Sequence, residues 1–170
     1  MQVRKAVLED SSGIAKVQVD SWRTTYKGIV PDSFLDNLNY EKQEKMWEQA
    51  IPKQAVFVAE NEEREIVGFV CGGENRFPEL SEADAEIYAI YILKEYQRQG
   101  IGKKLVKPLF DYFKSQKWQN AMVLVLEDNP SKQFYEHLGG KWQDSTDVEI
   151  GGKNLKEAIY VWENLQDVKW

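Results

Sequence analysis

Apolar residues change their spacing several times along the chain, and each change marks an expected helix or strand. A short strand is predicted over Gln2–Val7. Residues 11–25 then carry apolar side chains at helical spacing behind capping residues, which predicts a first helix. Pro31 can open a second helix, and a further helical stretch surrounds Glu41–Gln49.

The spacing then becomes that of strands. Val56–Ala59 and Ile66–Val70 are apolar runs around a polar link, which predicts a hairpin. A loop over residues 74–85 follows. Glu86–Leu93 is apolar on both faces beyond its first residue, as in a central strand, and Ala121–Leu126 is another buried strand.

Two more helices and a hairpin complete the pattern. Gly100–Lys117 is an amphipathic helix, and Ser131–Leu138 is a short helix that ends at paired glycines. Residues 141–150 and 155–163 are predicted strands, joined by the turn signal Gly151-Gly152. The order β-α-α-β-β-β-α-β-α-β-β predicts an α/β (α+β) fold, with a mixed central sheet and helices on its faces, in a single domain over residues 1–170.

Composition and charge narrow the classes of protein. The net charge of −6 argues against nucleic acid or membrane binding, because both need a basic surface. Cys71 is the only cysteine and His137 the only histidine. Intrachain disulfides, cysteine metal clusters and multi-histidine sites are therefore excluded, and no metal is expected. Without a signal peptide or a run of about 18 apolar residues, a cytoplasmic protein is expected.

The segment between the central strand and the amphipathic helix carries the first chemical signal. Gly100 and Gly102 allow the backbone to approach an anion, and the free N–H groups of the first helical turn can bind a diphosphate. Arg98, Lys103 and Lys104 add positive charge. By spacing alone, an ordinary tight turn flanked by surface lysines is an equal alternative. The segment matches neither a dinucleotide fingerprint nor a P-loop.

Wider context favours the anion site. Gln97-x-x-Gly100-x-Gly102 resembles the Q/R-x-x-G-x-G/A motif of the GNAT superfamily of N-acetyltransferases. Glu86–Tyr96 resembles that family's fourth strand with its exit loop, and Asn129–Gly139 resembles its N-x-x-A-x-x-F-Y-x-x-x-G helix. The resemblance implies a mostly antiparallel sheet flanked by helices. It also implies direct transfer of acetyl from acetyl-CoA to a primary amine in a ternary complex.

The resemblance assigns coenzyme A contacts to three segments. The backbone that would hold the diphosphate belongs to Gln97, Arg98, Gln99, Gly100, Ile101 and Gly102. The pantetheine arm would pair with the backbone of Ile90, Tyr91 and Ile92. Asn129 would contact the coenzyme arm, although the spacing to Tyr135 is one residue shorter than in the common motif, which leaves Asp128 as the alternative.

Catalytic roles follow from the same resemblance. Tyr135 would protonate the leaving thiolate, the alternative being an aromatic residue that only packs its helix on the sheet. Glu86, in strand phase with Tyr88, Ile90 and Ile92, would be the general base; the alternative is a charged residue at an exposed strand start. Glu127 and Glu149 are weaker candidates.

The acceptor side is less specific. Trp22 and Tyr26 would line the substrate pocket, or they belong to the core. The expected acceptor is a small-molecule or peptide amine. A coenzyme-binding regulatory or partner-binding module without catalysis, and an acyltransferase with a longer acyl-CoA, are the alternative functions. The sequence leaves the oligomeric state open, a homodimer included.

Overall fold

The computed structural model describes residues 1–170 and contains seven strands and five α-helices. The strands are β1 Gln2–Lys5, β2 Ala55–Glu60, β3 Ile66–Glu74, β4 Ala85–Ile92, β5 Ala121–Leu126, β6 Lys141–Ile150 and β7 Lys153–Trp162. The helices are α1 Ser11–Thr25, α2 Asp32–Asp36, α3 Tyr40–Ala50, α4 Ile101–Ser115 and α5 Lys132–His137. None of the helices combines the length and the apolar character that crossing a bilayer requires.

All seven strands form one sheet in the order β1-β2-β3-β4-β5-β7-β6. Every neighbouring pair is antiparallel except β4 and β5, which are parallel. A parallel pair needs a crossover, and α4 supplies it. The predicted fold class, a mixed and mostly antiparallel sheet flanked by helices, is confirmed.

The region between β1 and β2 differs from the predicted order by one helix. The predicted order counts two helices there, although a further helical stretch was predicted around Glu41–Gln49; the structure has three, because that stretch is a separate helix, α3. The separation has a local cause: the Asn39 side chain accepts a hydrogen bond from the Lys42 N–H at 3.0 Å and so caps a new helix.

The two faces of the sheet bury different cores. One face packs against α4, whose Leu105, Leu109 and Phe113 recur every four residues and are fully buried. The other face packs against α1 and α3, with Ile14 and Trp47 in its core. Truncating one of these leucines to alanine removes about 2–5 kcal/mol of stability.

A β-bulge at Tyr88 interrupts β4. Cys71 of β3 pairs with Ala89, but the next residue, Gly72, pairs with Ile87, so Tyr88 has no partner on β3. The alternation of side chains slips at this point: Ile90 and Ile92 pack on the α4 face, whereas Tyr88 and Tyr91 pack on the α1 face. The prediction that Glu86, Tyr88, Ile90 and Ile92 share one phase is therefore wrong beyond Tyr88.

The bulge lies where β4 and β5 diverge. The two strands pair only over Ala85–Ile87 and Ala121–Val123. Beyond these residues β4 continues to Ile92 and β5 to Leu126 without pairing to each other. Bulges bend a strand and increase its twist. The result is an opening in the middle of the sheet between the carboxyl ends of two strands, called the β4–β5 gap below.

Candidate functional site

The β4 side of the gap presents unpaired backbone groups. Leu93 N–H donates to Val67 O at 2.9 Å. Because bonding directions alternate along an antiparallel strand, the N–H and C=O groups of Ile90 and Ile92 point away from β3 and towards the gap. The Gln97 side chain donates to Ile92 O at 2.9 Å. An extended ligand can pair with such an edge.

The turn from β4 into α4 collects free N–H donors. Arg98 has a φ of 61° and Gly100 a φ of 80°. The first backbone bond of α4 runs from Lys104 N–H to Gly100 O at 3.3 Å, and no side chain caps the helix. The six N–H groups from Arg98 to Lys103 find no acceptor within the protein. Together with the helix dipole, they favour an anion.

The two glycines of the turn serve different purposes. Gly100 has the left-handed φ that glycine adopts without strain, and a Cβ there would meet no atom within 4 Å. Gly102 is an ordinary helical residue, but a Cβ there would lie 2.9 Å from Cε1 of Phe134. Gly102 is thus required because α5 packs closely against the start of α4, a role that the motif alone did not indicate.

Three polar side chains meet beside the gap. The hydroxyls of Tyr26 and Tyr91 are 3.3 Å apart, and Asn129 Nδ2 donates to the Tyr26 hydroxyl at 3.2 Å. Asn129 is buried, and its Oδ1 accepts from Ser131 N–H at 2.9 Å. Asp128 is exposed. Contact of either residue with a coenzyme stays a prediction.

Tyr135 of α5 is buried in the α4-side core. Its ring lies edge-on to Trp162, with the centroids 6.0 Å apart. Burial raises the pKa of Tyr135, and the nearby Tyr26 phenol raises it further. Burial likewise raises the pKa of Tyr26 and of Tyr91. All three phenols therefore keep their protons at neutral pH and are available as hydrogen-bond donors.

Glu86 lies at the start of β4 and is only 1% exposed, so the alternative of an exposed strand start is wrong. Arg76 holds both carboxylate oxygens: Nε and the backbone N–H bind Oε1 at 3.1 and 3.0 Å, and Nη2 binds Oε2 at 2.7 Å. The guanidinium also lies 4.0 Å from the Tyr88 ring centroid. Glu86 is firmly ion-paired, and its role as a base stays a prediction.

Aromatic side chains cover the α1 side of the gap. The Trp22 and Tyr26 centroids are 4.6 Å apart, Trp22 and Phe34 are 5.8 Å apart, and Tyr26 and Tyr91 are 6.5 Å apart. The Trp22 Nε1 atom is buried without an acceptor. Trp22 and Tyr26 thus lie together beside the gap, and Tyr26 is buried. Their role in lining a substrate pocket stays a prediction.

Glu157 of β7 was not among the predicted site residues. It is half-buried and pairs in register with Leu126 of β5, and its side chain makes no hydrogen bond or ion pair. Burial raises its pKa, the charge of Glu86 raises it further, and Arg76 lowers it. The signal in the sequence is its position: it occupies the apolar phase of the strand, between Leu155 and Ile159.

Comparison with known proteins shows the family. Residues 18–140 match the model of the acetyltransferase (GNAT) family. The chain belongs to this family. An uncharacterized N-acetyltransferase of Bacillus subtilis (strain 168), YuaI, is 41% identical over 167 residues, 98% of this chain and 95% of the relative. The spermidine N(1)-acetyltransferase of Thermoplasma acidophilum is 24% identical over 152 residues, 85% of this chain and 91% of that protein.

Solved GNAT structures share the fold. PaiA N-acetyltransferase from Thermoplasma acidophilum, in complex with coenzyme A, superposes with a TM-score of 0.73 at 22% identity, over 92% of this chain and 96% of that one. The acetyltransferase yncA from Salmonella typhimurium, with acetyl-CoA, superposes with a TM-score of 0.72 at 17% identity, over 100% and 96%. The predictions of GNAT membership and of an acyltransferase are confirmed.

Proposed function

We propose that this GNAT protein binds acetyl-CoA at the β4–β5 gap and transfers the acetyl group directly to a primary amine. The main support is the run of six N–H groups without an acceptor at the turn from β4 into α4. A doubly charged diphosphate satisfies several such donors at once. Further support comes from the coenzyme A in the PaiA structure and the acetyl-CoA in the yncA structure.

Each part of the gap then has one task. The turn holds the diphosphate, with Arg98, Lys103 and Lys104 adding charge. The backbone N–H and C=O of Ile90 and the N–H of Ile92 pair with the amides of the pantetheine arm, as an added strand would, while the Ile92 C=O is held by the Gln97 side chain. This arrangement brings the thioester towards Tyr135 and Asn129, where the sheet opening ends.

Tyr135 acts on the leaving group. The acceptor nitrogen attacks the thioester carbon, the carbon–sulfur bond breaks, and the sulfur keeps the electron pair. The Tyr135 hydroxyl donates to that sulfur. A phenol with a raised pKa is a weak acid, but burial raises the pKa of a thiol as well, so the thiolate formed here is a stronger base than in water.

The acceptor needs to lose a proton before it attacks. A primary amine with a pKa near 10 is protonated at pH 7, and removing that proton costs about 4 kcal/mol. A carboxylate on the α1 face supplies the base. The spermidine acetyltransferase among the relatives supports a small aliphatic amine as the acceptor.

Two measurements test the proposal. Calorimetry should show coenzyme A binding to the purified protein. Release of thiol from acetyl-CoA should then depend on an added amine, in a panel of spermidine, n-butylamine, lysine and a peptide with a free N-terminus. Coenzyme A binding without turnover on any amine would favour a regulatory module. Turnover only with a longer acyl-CoA would show that acetyl-CoA is not the acyl donor. Absence of coenzyme A binding would refute the site.

A further inference from the structure

Glu157 is a carboxylate in a position where β7 otherwise presents apolar side chains to the α1 face of the sheet. Leu155 packs in the cluster with Tyr26, and Ile159 packs with Met122. The β5 residue that pairs with Glu157 is Leu126, which belongs to the Tyr26 cluster. Glu157 therefore lies next to the aromatic wall, at the β5–β7 side of the gap.

The well-buried carboxylates of the protein all have cationic partners, and Glu157 does not. Asp10 and Glu60 bind Arg4, and Glu86 binds Arg76. The half-buried Glu157 side chain has neither an ion pair nor a hydrogen bond; Glu44 and Glu127 share that condition, but Glu157 differs from them in pairing with Leu126 of the Tyr26 cluster. A partly desolvated carboxylate without a partner is unfavourable in the free protein. Such a group has a reason to persist where a ligand supplies the missing cation.

The charges that face Glu157 are few. The negative charge of Glu157 acts on Tyr26, which directly follows α1. Glu86 of β4 and Arg76, from the segment before β4, act on Glu157. Arg76 is committed to Glu86, so the three charged groups Glu86, Arg76 and Glu157 sum to −1. One positive charge on a bound ligand would make this group of charges neutral.

Tyr26 connects Glu157 to the end of the gap where the reaction is proposed to occur. The Tyr26 hydroxyl, which lies near Glu157, is hydrogen-bonded to Asn129 and Tyr91. On its other side Tyr26 is close enough to Tyr135 to influence it electrostatically. Glu157 lies with Tyr26 on the α1 face, and Tyr135 lies in the α4-side core, so the two groups approach the gap from opposite faces of the sheet.

On these grounds, and resting on the proposed acetyl transfer, we infer that Glu157 binds the ammonium group of the acceptor and takes the proton it loses before attack. The Trp22 and Tyr26 rings favour a cation and its alkyl chain beside them. The first proton passes from nitrogen to Glu157 and then to solvent. After attack, nitrogen loses a second proton to Tyr135 as Tyr135 gives its own to sulfur. The products are the amide, coenzyme A and one released proton.

The isosteric variant Glu157→Gln tests the inference. With n-butylamine or spermidine at pH 7, kcat/KM should fall about 100-fold to 10,000-fold, the usual contribution of a general base. Coenzyme A affinity should stay within about twofold. Titration of n-butylamine into the coenzyme A complex should show at least about tenfold weaker binding. Glu44→Gln, which alters a half-buried and unpaired carboxylate on α3, is the matched control and should match the wild type.

The pH profile separates a base from a structural residue. Wild-type kcat/KM should be level from above the Glu157 pKa up to the amine pKa, because the ammonium form is the one bound. The variant can use only free amine, so its kcat/KM should rise about tenfold per pH unit towards pH ~10. A variant profile parallel to the wild type, with unchanged amine affinity, would overturn the assignment.

The outcomes also distinguish the inference from the proposed function. Wild-type turnover that Glu157→Gln leaves intact overturns the role of Glu157 alone. Coenzyme A binding by a wild type that neither acetylates nor binds any of the amines overturns the proposed acetyl transfer, and the role of Glu157 with it.

Discussion

The Arg76–Glu86 ion pair gives the most quantitative prediction. Glu86 is 1% exposed, and Arg76 supplies every hydrogen bond that its carboxylate receives. In Arg76→Met the stem of the side chain is conserved but the guanidinium is lost. The carboxylate then keeps only the backbone N–H of residue 76. Removing one partner of a fully buried pair costs about 3–5 kcal/mol.

Partial hydration reduces that cost. The Arg76 side chain is 49% exposed, so water can reach the vacated site, and we expect about 2–3 kcal/mol. For a domain of this size the midpoint of thermal unfolding should drop by about 5–10 °C. Glu86→Gln should cost less, about 1–2 kcal/mol, because an amide still accepts from the guanidinium. The double variant should show a coupling energy of about 1–2 kcal/mol.

Urea unfolding of the wild type, the two single variants and the double variant measures these values. Lys107→Met is the control, since it removes an exposed pair with Asp111, and it should cost less than about 0.5 kcal/mol. A coupling energy no larger than that of the control pair would refute the reasoning. The same Glu86→Gln protein tests the predicted base: because Arg76 holds both oxygens, we expect turnover to fall less than about tenfold.

Three further predictions concern single side chains. Tyr135→Phe should lower kcat about 100-fold and leave coenzyme A affinity within about twofold of the wild type. The control Tyr160→Phe, on the same face of the sheet, should retain kcat. Equal rates for Tyr135→Phe and the wild type would show that Tyr135 is not the acid. Gly100→Ala and Gly152→Ala both strain a left-handed φ by about 1 kcal/mol, but calorimetry should show weaker coenzyme A binding only for Gly100→Ala. The Arg4 guanidinium lowers the pKa of Asp10. The Asp10–Arg4 pair therefore stabilises the folded protein above about pH 4, and this stabilisation is lost as the pH falls through the pKa of Asp10 in the folded state. Asp10→Asn should therefore be about 2 kcal/mol less stable than the wild type in urea at pH 7, with the difference vanishing in acid; a constant difference would contradict the linkage.

The sequence was sufficient for the elements and for the turn, because both depend on local patterns. Near-continuous apolar runs indicate central strands, and a glycine with a left-handed φ, such as Gly100, is typical of a turn before a helix. The remaining features depend on residues that meet only in the folded chain. The buried carboxylate of Glu86 is held by Arg76, which lies ten residues earlier and on a different segment. Gly102 is required because Phe134 packs on it.

Two features had weaker signals. The bulge at Tyr88 follows from the register between β3 and β4, and no residue type marks it. Glu157 had a local signal, an acid in an apolar phase, but its meaning depends on Tyr26, Glu86 and Arg76, which come from three other parts of the chain.

The extra residue at position 88 keeps β4 and β5 from pairing along their full length. If β4 were regular, its last residues would be able to pair with β5 and form several more inter-strand hydrogen bonds, each contributing about 0.5–1.5 kcal/mol to stability. The protein lacks those hydrogen bonds, and the β4–β5 gap stays open in the absence of a ligand. An extended ligand can then enter the gap without any strand having to separate from its neighbour.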